Sequence, residues 1–366
     1  MKITEVRAYA HTLPRVGDYT MSTSSVGDPD STILEIVTDS GLTGWGEACP
    51  AGPSYQPANA FTIRAALELI GPSLIGIDPR QIGLVRRSID RAVNGSPEAK
   101  AMVDIACWDL TGKAYGARIC DLLGGPQADT VPTYHVVGIG TAHEAAASAH
   151  DLQSQGHTKL QLKAGGRHID EDIDSIRAVT NVIRPHVDVF VDVNRGWTVE
   201  EVIQVSNACA DLRFSIEQPC NTYVECARAK PHLRHPLLLD ESAVDLMTIS
   251  AAISSGVANG FGMKLTRIGG ISGMRAVRDL CEATHTPTSF DDSWGGDIIA
   301  AACVHIGSTM TEKLSRGVWI ADPYIDGHYD ADNGPRIEHG RIAVPREPGL
   351  GLSIPDGFFG APIASY

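Results

Sequence analysis

A series of charged residues, each ending a short apolar run, constrains this chain more than any other feature. The carboxylates of Asp192, Glu217 and Asp240 follow one another at intervals of roughly 25 residues, about the length of one strand-plus-helix unit. Lys163 precedes the trio and Lys264 follows it at similar intervals. Short apolar runs of this kind are typical of buried parallel strands. The pattern therefore predicts five strand ends that carry three acids between two lysines.

The region from about residue 131 alternates strand-like and helix-like segments, which indicates parallel βα units. The strand candidates are 133–137, 159–163, 188–193, 214–217, 236–240, 260–264, 286–290 and 317–320. Amphipathic stretches between them include 169–183, 199–210, 271–284 and 297–310. Eight such units predict a (β/α)8 barrel. An open doubly wound sheet is the alternative, but no Gly-x-Gly-x-x-Gly stands at the first βα turn to support it.

The first 130 residues follow a different pattern. Segments 3–9, 31–38 and 42–48 predict a β-meander, and 56–125 is helical, most strongly over 99–115. The polar segment 17–30 is long for a hairpin loop, and it is either a lid or a disordered tip. We therefore expect an N-terminal α+β domain over 1–130, the barrel over 131–320, and a C-terminal segment, 321–366, that packs back on the first domain.

Composition narrows the classes of partner. The 30 Lys and Arg residues against 44 Asp and Glu give a net charge of -14, which argues against nucleic acid and anionic membrane surfaces. An anionic substrate stays compatible, because a bound cation reverses the local charge. No apolar stretch approaches the ~20 residues of a membrane span, and the N-terminus resembles no signal peptide. Eight cysteines without a Cys-x-x-Cys pair indicate reduced thiols and a cytoplasmic protein.

The strand-end residues point to metal-assisted acid–base chemistry. In a barrel the strand ends meet at one mouth, where Asp192, Glu217 and Asp240 would repel one another without a cation. Mg²⁺ prefers oxygen ligands and is the expected cofactor. Lys163 and Lys264 would flank it, with pKa values lowered by burial and by the cation, and would remove and return a proton on opposite faces of one carbon.

Three other polar groups are expected to be structural. Asp104 and Asp109 lie on the strongest predicted helix, whose apolar residues recur at helical spacing. His285 comes several residues before the end of the predicted seventh strand. None of the three is therefore assigned to the reaction.

Several motifs together carry a family resemblance. They are Gly44-Trp-Gly-Glu, Asp104-Ile-Ala-Cys-Trp-Asp-Leu-Thr-Gly-Lys, Leu122-Leu-Gly-Gly, Glu217-Gln-Pro, Asp240-Glu, and Met263-Lys-Leu followed by Gly269-Gly. Over essentially its whole length the chain resembles the mandelate racemase/muconate lactonizing enzyme branch of the enolase superfamily. The resemblance implies a modified (β/α)8 TIM barrel with an N-terminal α+β capping domain whose loops, after the first strand and near residue 50, set substrate specificity. It also implies a small-molecule carboxylate substrate and a homo-oligomer.

In the same way, the resemblance implies Mg²⁺ on Asp192, Glu217 and Asp240, with Lys163 and Lys264 as the acid/base pair. Two departures from the family pattern are visible. Gln161 stands where the family usually carries the first lysine of Lys-x-Lys, which helps to lower the pKa of its neighbour. The end of strand seven carries Asp291 and Asp292 in place of the histidine of mandelate-racemase-like members.

Within the family, the chain is most similar to proline betaine and hydroxyproline betaine racemase/epimerases and to cis-3-hydroxyproline dehydratases. The motifs that suggest this are Cys49-Pro-Ala-Gly-Pro-Ser-Tyr, Asn194-Arg-Gly-Trp, Glu217-Gln-Pro-Cys-Asn, Asp291-Asp-Ser-Trp-Gly-Gly-Asp and Val318-Trp-Ile-Ala-Asp-Pro-Tyr. Tyr55 and Trp319 would form an aromatic wall for a ring ammonium, and Asp292 would add a complementary charge. The substrate-binding candidates are Tyr55, Gln161, Asn194, Asp291, Asp292 and Trp319.

Three hypotheses about function follow. The leading one is Mg²⁺-dependent α-proton abstraction through an enediolate, ending in racemisation or 2-epimerisation of a proline-type amino acid or its betaine. The alternative uses the same metal and lysines but ends in β-elimination, as in a cis-3-hydroxyproline dehydratase. A binding protein that kept the fold without activity is the third, and the complete acid trio with both lysines argues against it.

Overall fold

The computed structural model describes residues 1–17, 27–52 and 55–366, and it begins with an antiparallel meander covered by helices. Its elements are β1 (Ile3–Thr12), β2 (Asp30–Thr38), β3 (Thr43–Ala48), α1 (Ala60–Leu74), α2 (Ile82–Ala92), α3 (Pro97–Tyr115) and α4 (Ile119–Leu122). Proline at the first position and Gly116 at φ 63° delimit α3. Most of the expected lid, residues 18–26, lies outside the described residues, as do residues 53–54.

The barrel region alternates strands and helices as predicted. Its elements are β4 (Thr130–Pro132), β5 (His135–Val137), α5 (Ala142–Ser154), β6 (Lys159–Lys163), α6 (Ile169–Val182), β7 (Asp188–Asp192), α7 (Val199–Ala208), β8 (Ser215–Glu217), α8 (Tyr223–Ala229), β9 (Leu237–Leu239), α9 (Leu246–Ser254), β10 (Gly260–Phe261), α10 (Ile271–Ala283) and α11 (Asp297–Gly307). Six parallel strands are hydrogen-bonded in the order β10-β9-β8-β7-β6-β5. The chain therefore has the expected α/β fold, a modified TIM barrel with an N-terminal capping domain.

The last two predicted strands close the barrel without forming regular strands. Thr288 makes isolated parallel bridges to Phe261 and to Ser315, and Val318 N donates to Pro132 O at 2.9 Å. Pro287 has no N–H to give to a ladder, which interrupts regular pairing in this segment. The extended segments at 286–290 and 317–320 therefore complete the circle through single bridges.

Capping boxes begin three of the barrel helices. Thr141, Thr198 and Thr222 each accept a hydrogen bond from the backbone N–H of a glutamate three residues later, and each glutamate side chain reaches back to the threonine. This reciprocal arrangement satisfies backbone donors that the first turn leaves free. It fixes the point at which each strand-end loop turns into its helix.

Two carboxylates of the capping domain bind the starts of barrel helices. Glu47 of β3 accepts from Gly296 N and Ile299 N at 2.9 and 3.1 Å, at the beginning of α11. Asp104 of α3 accepts from Ser272 N at 2.9 Å, at the beginning of α10. Acids at helix N-termini complement the helix dipole. The capping domain is thereby held against the mouth of the barrel.

The tail returns to the N-terminal part of the chain. It contains a 3-10 helix at Asp322–Tyr324 and the strands β11 (Ile337–Glu338), β12 (Arg341–Ala343) and β13 (Ala364–Ser365). Two further 3-10 helices, Lys230–His232 and Glu312–Leu314, lie in the barrel region. β13 pairs with β1, and β12 pairs with β4. The domain boundaries at 130 and 320 stay predictions. None of the helices in the described ranges is long and apolar enough to cross a bilayer.

Candidate active site

Strand register brings the five predicted strand-end residues to one end of the barrel. Lys163 is paired with Asp192, and Asp192 with Glu217, across β6, β7 and β8. Asp240 directly follows β9, and Lys264 follows β10. Because the carboxyl ends of parallel strands open at the same end of a barrel, all five charged groups lie at its mouth.

Lys163 is held by two side chains from the end of β7. Its Nζ lies 2.5 Å from Asp192 Oδ2 and donates to Asn194 Oδ1 at 3.0 Å. The Asn194 amide donates in turn to Glu241 Oε1 at 3.3 Å. Asn194 has φ 44°, a left-handed conformation that asparagine adopts more readily than most residues. The loop after β7 is therefore folded so that it orients the ammonium of Lys163.

Glu217 lies in the centre of the acidic trio. Its Oε2 accepts from Gln161 Nε2 at 2.8 Å. A Cβ atom at Gly262 would lie 2.2 Å from the other oxygen, Oε1, so glycine at that position leaves the space the carboxylate occupies. Burial, and then the charges of Asp192 and Asp240, raise the pKa of Glu217 well above its usual value. The site therefore favours either a proton or a cation at this carboxylate.

Asp240 is surrounded by cationic and hydroxyl groups. Arg267 Nη1 donates to Oδ1 at 2.6 Å, while Lys264 Nζ lies 3.3 Å from Oδ2. Tyr55 OH also donates to Oδ2, at 3.1 Å. Burial by itself would raise the pKa of Asp240, but the charges of Lys264 and Arg267 outweigh it and lower the pKa to about 2. This carboxylate is therefore ionised at neutral pH.

The pKa of the Lys264 amine does not shift in the direction expected from the sequence. Burial by itself lowers the pKa of Lys264, but the charges of Asp240, Tyr55, Asp291 and Glu217 together raise it well above its ordinary value. The net direction is opposite to the expected one because acidic groups surround the amine. A cation bound by those carboxylates would offset their effect on Lys264.

Both lysines line one narrow cavity at the mouth of the barrel. In the strand order, β6 and β10 are separated by three strands, so Lys163 and Lys264 reach the cavity from opposite sides. The lining also contains Ala51, Tyr55, Tyr134, Gln161, Asp192, Asn194, Asp240, Asp292, Ser293, Trp294 and Trp319.

The two acids at the predicted end of strand seven have different surroundings. Asp292 lines the cavity and accepts from Thr266 Oγ1 at 2.9 Å, and burial raises its pKa to about 7. Asp291 accepts from Ser289 Oγ at 2.5 Å and from Trp319 N at 2.8 Å. Asp292 is therefore placed to meet a ligand, whereas Asp291 ties strand seven to the neighbouring extended segment 317–320.

Two tryptophans form the aromatic wall of the cavity. Trp319 packs edge-to-face on Trp294 with ring centroids 5.7 Å apart, and it stacks on Tyr324 at the same distance. Tyr55, which was expected to share this wall, directs its hydroxyl to Asp240 instead. Trp294 was noticed in the sequence only as part of a motif. Trp294 comes two residues after Asp292, and this short spacing indicates that both residues lie on the same rim of the cavity.

Three further residues of the site were missed in the sequence. Arg267, three residues after Lys264, binds Asp240, and Gly262 makes room for Glu217. Glu241 is partly buried beside Asp240, and burial followed by the charges of Asp240 and Asp192 raises its pKa to about 7. In the sequence, Glu241 is visible only in the Asp240-Glu motif, and Gly262 only as the residue before Met263-Lys. Neither motif indicates which residue it contacts.

The residues present fit a magnesium ion. Within the described ranges no three His, Cys, Asp or Glu side chains are gathered in a metal-holding arrangement, and Lys, Arg and Gln side chains engage the three carboxylates. The donors are nevertheless all oxygens, and they come from three adjacent strand ends. Mg²⁺ takes such hard ligands, and its charge would offset the burial and the neighbouring acids that raise the pKa of Glu217.

Comparisons with known proteins agree with this architecture. Residues 3–124 match the N-terminal domain model of mandelate racemase/muconate lactonizing enzyme, and residues 144–357 match the enolase C-terminal domain-like model. A cis-3-hydroxy-L-proline dehydratase of Roseibium aggregatum is 36% identical, over 100% of both chains. An N-succinyl-L-Arg/Lys racemase of Bacillus cereus is 26% identical, over 97% of this chain and 96% of that one.

A solved structure has the same fold throughout. An enolase superfamily member from Roseovarius nubinhibens ISM, complexed with magnesium, superposes with a TM-score of 0.95 at 32% identity, covering 100% of this chain and 99% of that one. The named relatives are isomerases and a dehydratase, and all of these are enzymes. The chain is therefore an enzyme that belongs to the mandelate racemase/muconate lactonizing enzyme family of the enolase superfamily.

Proposed function

We propose that this enzyme removes the α-proton of a small cyclic amino acid and expels its β-hydroxyl, in the manner of a cis-3-hydroxyproline dehydratase. One observation carries the proton-removal step of the proposal: Lys163 and Lys264 line the same small cavity from opposite sides, next to Asp192 and Asp240. Whichever face of the α-carbon carries the proton, an amine is placed to take it. The substrate class rests on the full-length relative of that name.

Asp192, Glu217 and Asp240 would hold Mg²⁺. When bound, the ion would supply positive charge to the substrate carboxylate as negative charge builds up there after the proton leaves. The protein's own groups do the remaining work. Arg267 and Tyr55 keep Asp240 oriented, and Gln161 keeps Glu217 oriented.

Asp292 and the tryptophan pair would recognise the ring nitrogen. A secondary ammonium prefers the face of an aromatic ring and a nearby carboxylate. Trp294, Trp319 and Asp292 all line the cavity, and the pKa of Asp292, about 7, lets a bound ammonium shift it to the ionised form. In this assignment Asn194 positions Lys163, while Asp291 binds the backbone of Trp319 and lies 3.7 Å from Lys264 Nζ.

The proposed reaction is balanced without an oxidant or a reductant. The α C–H bond breaks and its proton passes to a lysine, while the electron pair forms the Cα–Cβ double bond as the C–O bond of the β-hydroxyl breaks. The hydroxyl leaves with one proton as water. The resulting enamine tautomerises to a cyclic imine, a pyrroline carboxylate.

The direct test is product identification. The enzyme is incubated with Mg²⁺ and cis-3-hydroxy-L-proline, and the reaction is followed by proton NMR. Loss of the β-hydroxyl signal and appearance of the pyrroline carboxylate are expected. Full recovery of substrate from metal-loaded enzyme, with no α-proton exchange in D₂O, would contradict the proposal.

Racemisation of proline or of its N-methylated betaine is the second candidate. The opposed positions of the two lysines favour it, because inversion needs one group on each face of the carbon. The same NMR experiment with L-proline and proline betaine separates the two outcomes. Exchange with inversion, without a dehydrated product from the hydroxylated substrate, would favour the racemase.

A further inference from the structure

The amino-terminal end of the barrel, opposite the candidate active site, contains a second cavity. It is lined by the segments that precede β7, β8 and β9 and by Arg316, and its volume is about 650 Å³. We call it the basal funnel, defined by its lining residues Thr180, Ile183, Arg184, Pro185, Val187–Val189, Asp211–Ser215, Arg234–Pro236 and Arg316. No step of the proposed reaction uses it.

The basal funnel is basic although the chain is acidic overall. Arg184, Arg213, Arg234 and Arg316 line it, and none of their side chains has an ion-pair or hydrogen-bond partner among the residues that the structure describes. The net charge of the whole chain is -14. A cluster of unpaired arginines on such a chain attracts anions locally.

The acidic residues of the basal funnel are already neutralised. Asp188 Oδ2 lies 3.4 Å from Lys159 Nζ, and Asp211 Oδ2 lies 3.3 Å from Arg177 Nη1. Each acid thus has its own cation outside the arginine group. The four arginines therefore keep their positive charge free for an external partner.

Arg316 is the deepest of the four and is partly buried. Its backbone N donates to Thr288 O at 2.9 Å, which fixes the main chain, and its Cζ lies 5.1 Å from the centroid of the Phe190 ring. Phe190 belongs to β7, so the guanidinium rests on the interior of the barrel. A partly buried guanidinium keeps only part of its contact with water, so an anion that accepts from it would add hydrogen bonds that the described residues do not supply.

We propose that the basal funnel binds a small molecule through a phosphate-type oxyanion, with Arg316 as the principal ligand. The planar guanidinium offers paired N–H donors that match phosphate oxygens, and the other three arginines would add charge at the rim. A small anion is favoured over an acidic protein segment because the unpaired donor lies deep, against Phe190. The proposal is independent of the reaction assigned to the other end of the barrel.

Calorimetric titration with inorganic phosphate and with pyrophosphate tests the proposal. The titrations use the full chain without divalent metal, at constant ionic strength, because salt screens such attraction. The wild type is expected to bind pyrophosphate more tightly than phosphate. Arg316→Met should weaken binding about tenfold or more, the effect of losing one charge-assisted pair. Arg87→Met, an exposed arginine of α2 outside the basal funnel, is the matched control and should bind as the wild type does.

Two further variants keep the test decisive if Arg316→Met folds poorly. Arg213→Gln and Arg234→Gln change only the rim, and each should weaken pyrophosphate binding several-fold. Wild-type affinity in all the funnel variants, or no binding of either anion to the wild type, would overturn the proposal. Self-association that depends on Arg316, without anion binding, would overturn it in favour of a contact between copies of the chain.

Discussion

The absence of a side chain at Gly262 leaves room for the carboxylate of Glu217. A Cβ atom at position 262 would lie 2.2 Å from Glu217 Oε1 and 3.4 Å from Asp240 Cβ. Gly262→Ala should therefore displace the Glu217 carboxylate and weaken Mg²⁺ binding about 10- to 100-fold, as changes around metal ligands typically do. Calorimetric titration with Mg²⁺ measures the effect. Gly83→Ala on α2, where a Cβ meets nothing within 4 Å, is the control, and equal affinities in the two variants would contradict this role.

A substitution at Asp292 tests whether this carboxylate binds the substrate ammonium. Asp292→Asn keeps the shape of the side chain but removes the charge that would face the substrate ammonium. We expect KM for a proline-type substrate to rise about tenfold or more, the effect of losing one charged hydrogen bond, with a smaller change in kcat. Steady-state kinetics measure this split. Asp170→Asn, on the exposed surface, should change neither constant. An unchanged KM in Asp292→Asn would remove Asp292 from the binding site.

A substitution at Glu47 tests whether its hydrogen bonds to the start of α11 hold the capping domain on the barrel. It is fully buried and accepts from Ser31 Oγ, Tyr329 OH and two backbone N–H groups at the start of α11. Glu47→Gln would turn an amide donor towards groups that are themselves donors. We expect a loss of about 3 kcal/mol in the free energy of unfolding, measured by urea denaturation. Glu171→Gln, at an exposed position of α6, should cost little.

His305 gives the fold a pH dependence. It is fully buried, Cys120 N donates to its Nδ1 at 3.4 Å, and its Nε2 lies 3.2 Å from Leu350 O. Burial lowers its pKa to about 4. The unfolded chain takes up this proton near pH 6.5 and the folded chain does not. His305 therefore stabilises the fold above pH 6.5, and this contribution is lost as the pH falls towards 4.

The slope due to His305 approaches about 1.4 kcal/mol per pH unit, the value for one proton. In His305→Gln, which keeps a donor and an acceptor, the free energy of unfolding should fall less steeply between pH 6.5 and 5. Urea denaturation at a series of pH values measures the slope. Exposed His143→Gln should keep the wild-type slope. A variant slope equal to that of the wild type would mean that His305 is not the titrating group.

The barrel was predictable from sequence because strand and helix periods alternate so regularly. The predicted strand 159–163 matches β6, and the end of β8 falls at Glu217 as expected. Strands seven and eight were less predictable, because Pro287 and the bridges around Thr288 depend on neighbours distant in sequence. Local patterns carry no information about such pairings.

In the site, sequence identified the charged strand-end residues better than their partners. The periodic spacing predicts that Lys163 and Lys264 lie at one end of the barrel. It does not predict that the hydroxyl of Tyr55 points to Asp240. The pKa of Lys264 was expected to be low, and its surroundings raise it, because the count of carboxylates around an amine depends on three-dimensional packing. Such partners become visible only when the strands are assembled.

The central claim is that Lys163 and Lys264 exchange the α-proton from opposite faces of one carbon. The most direct measurement is proton NMR of α-proton exchange in D₂O, with Mg²⁺ and the separate L and D isomers of proline and of cis-3-hydroxyproline. We predict that Lys163→Ala and Lys264→Ala each abolish exchange from one isomer far more than from the other, with opposite preference. Equal and mild losses for both isomers in both variants would contradict the account.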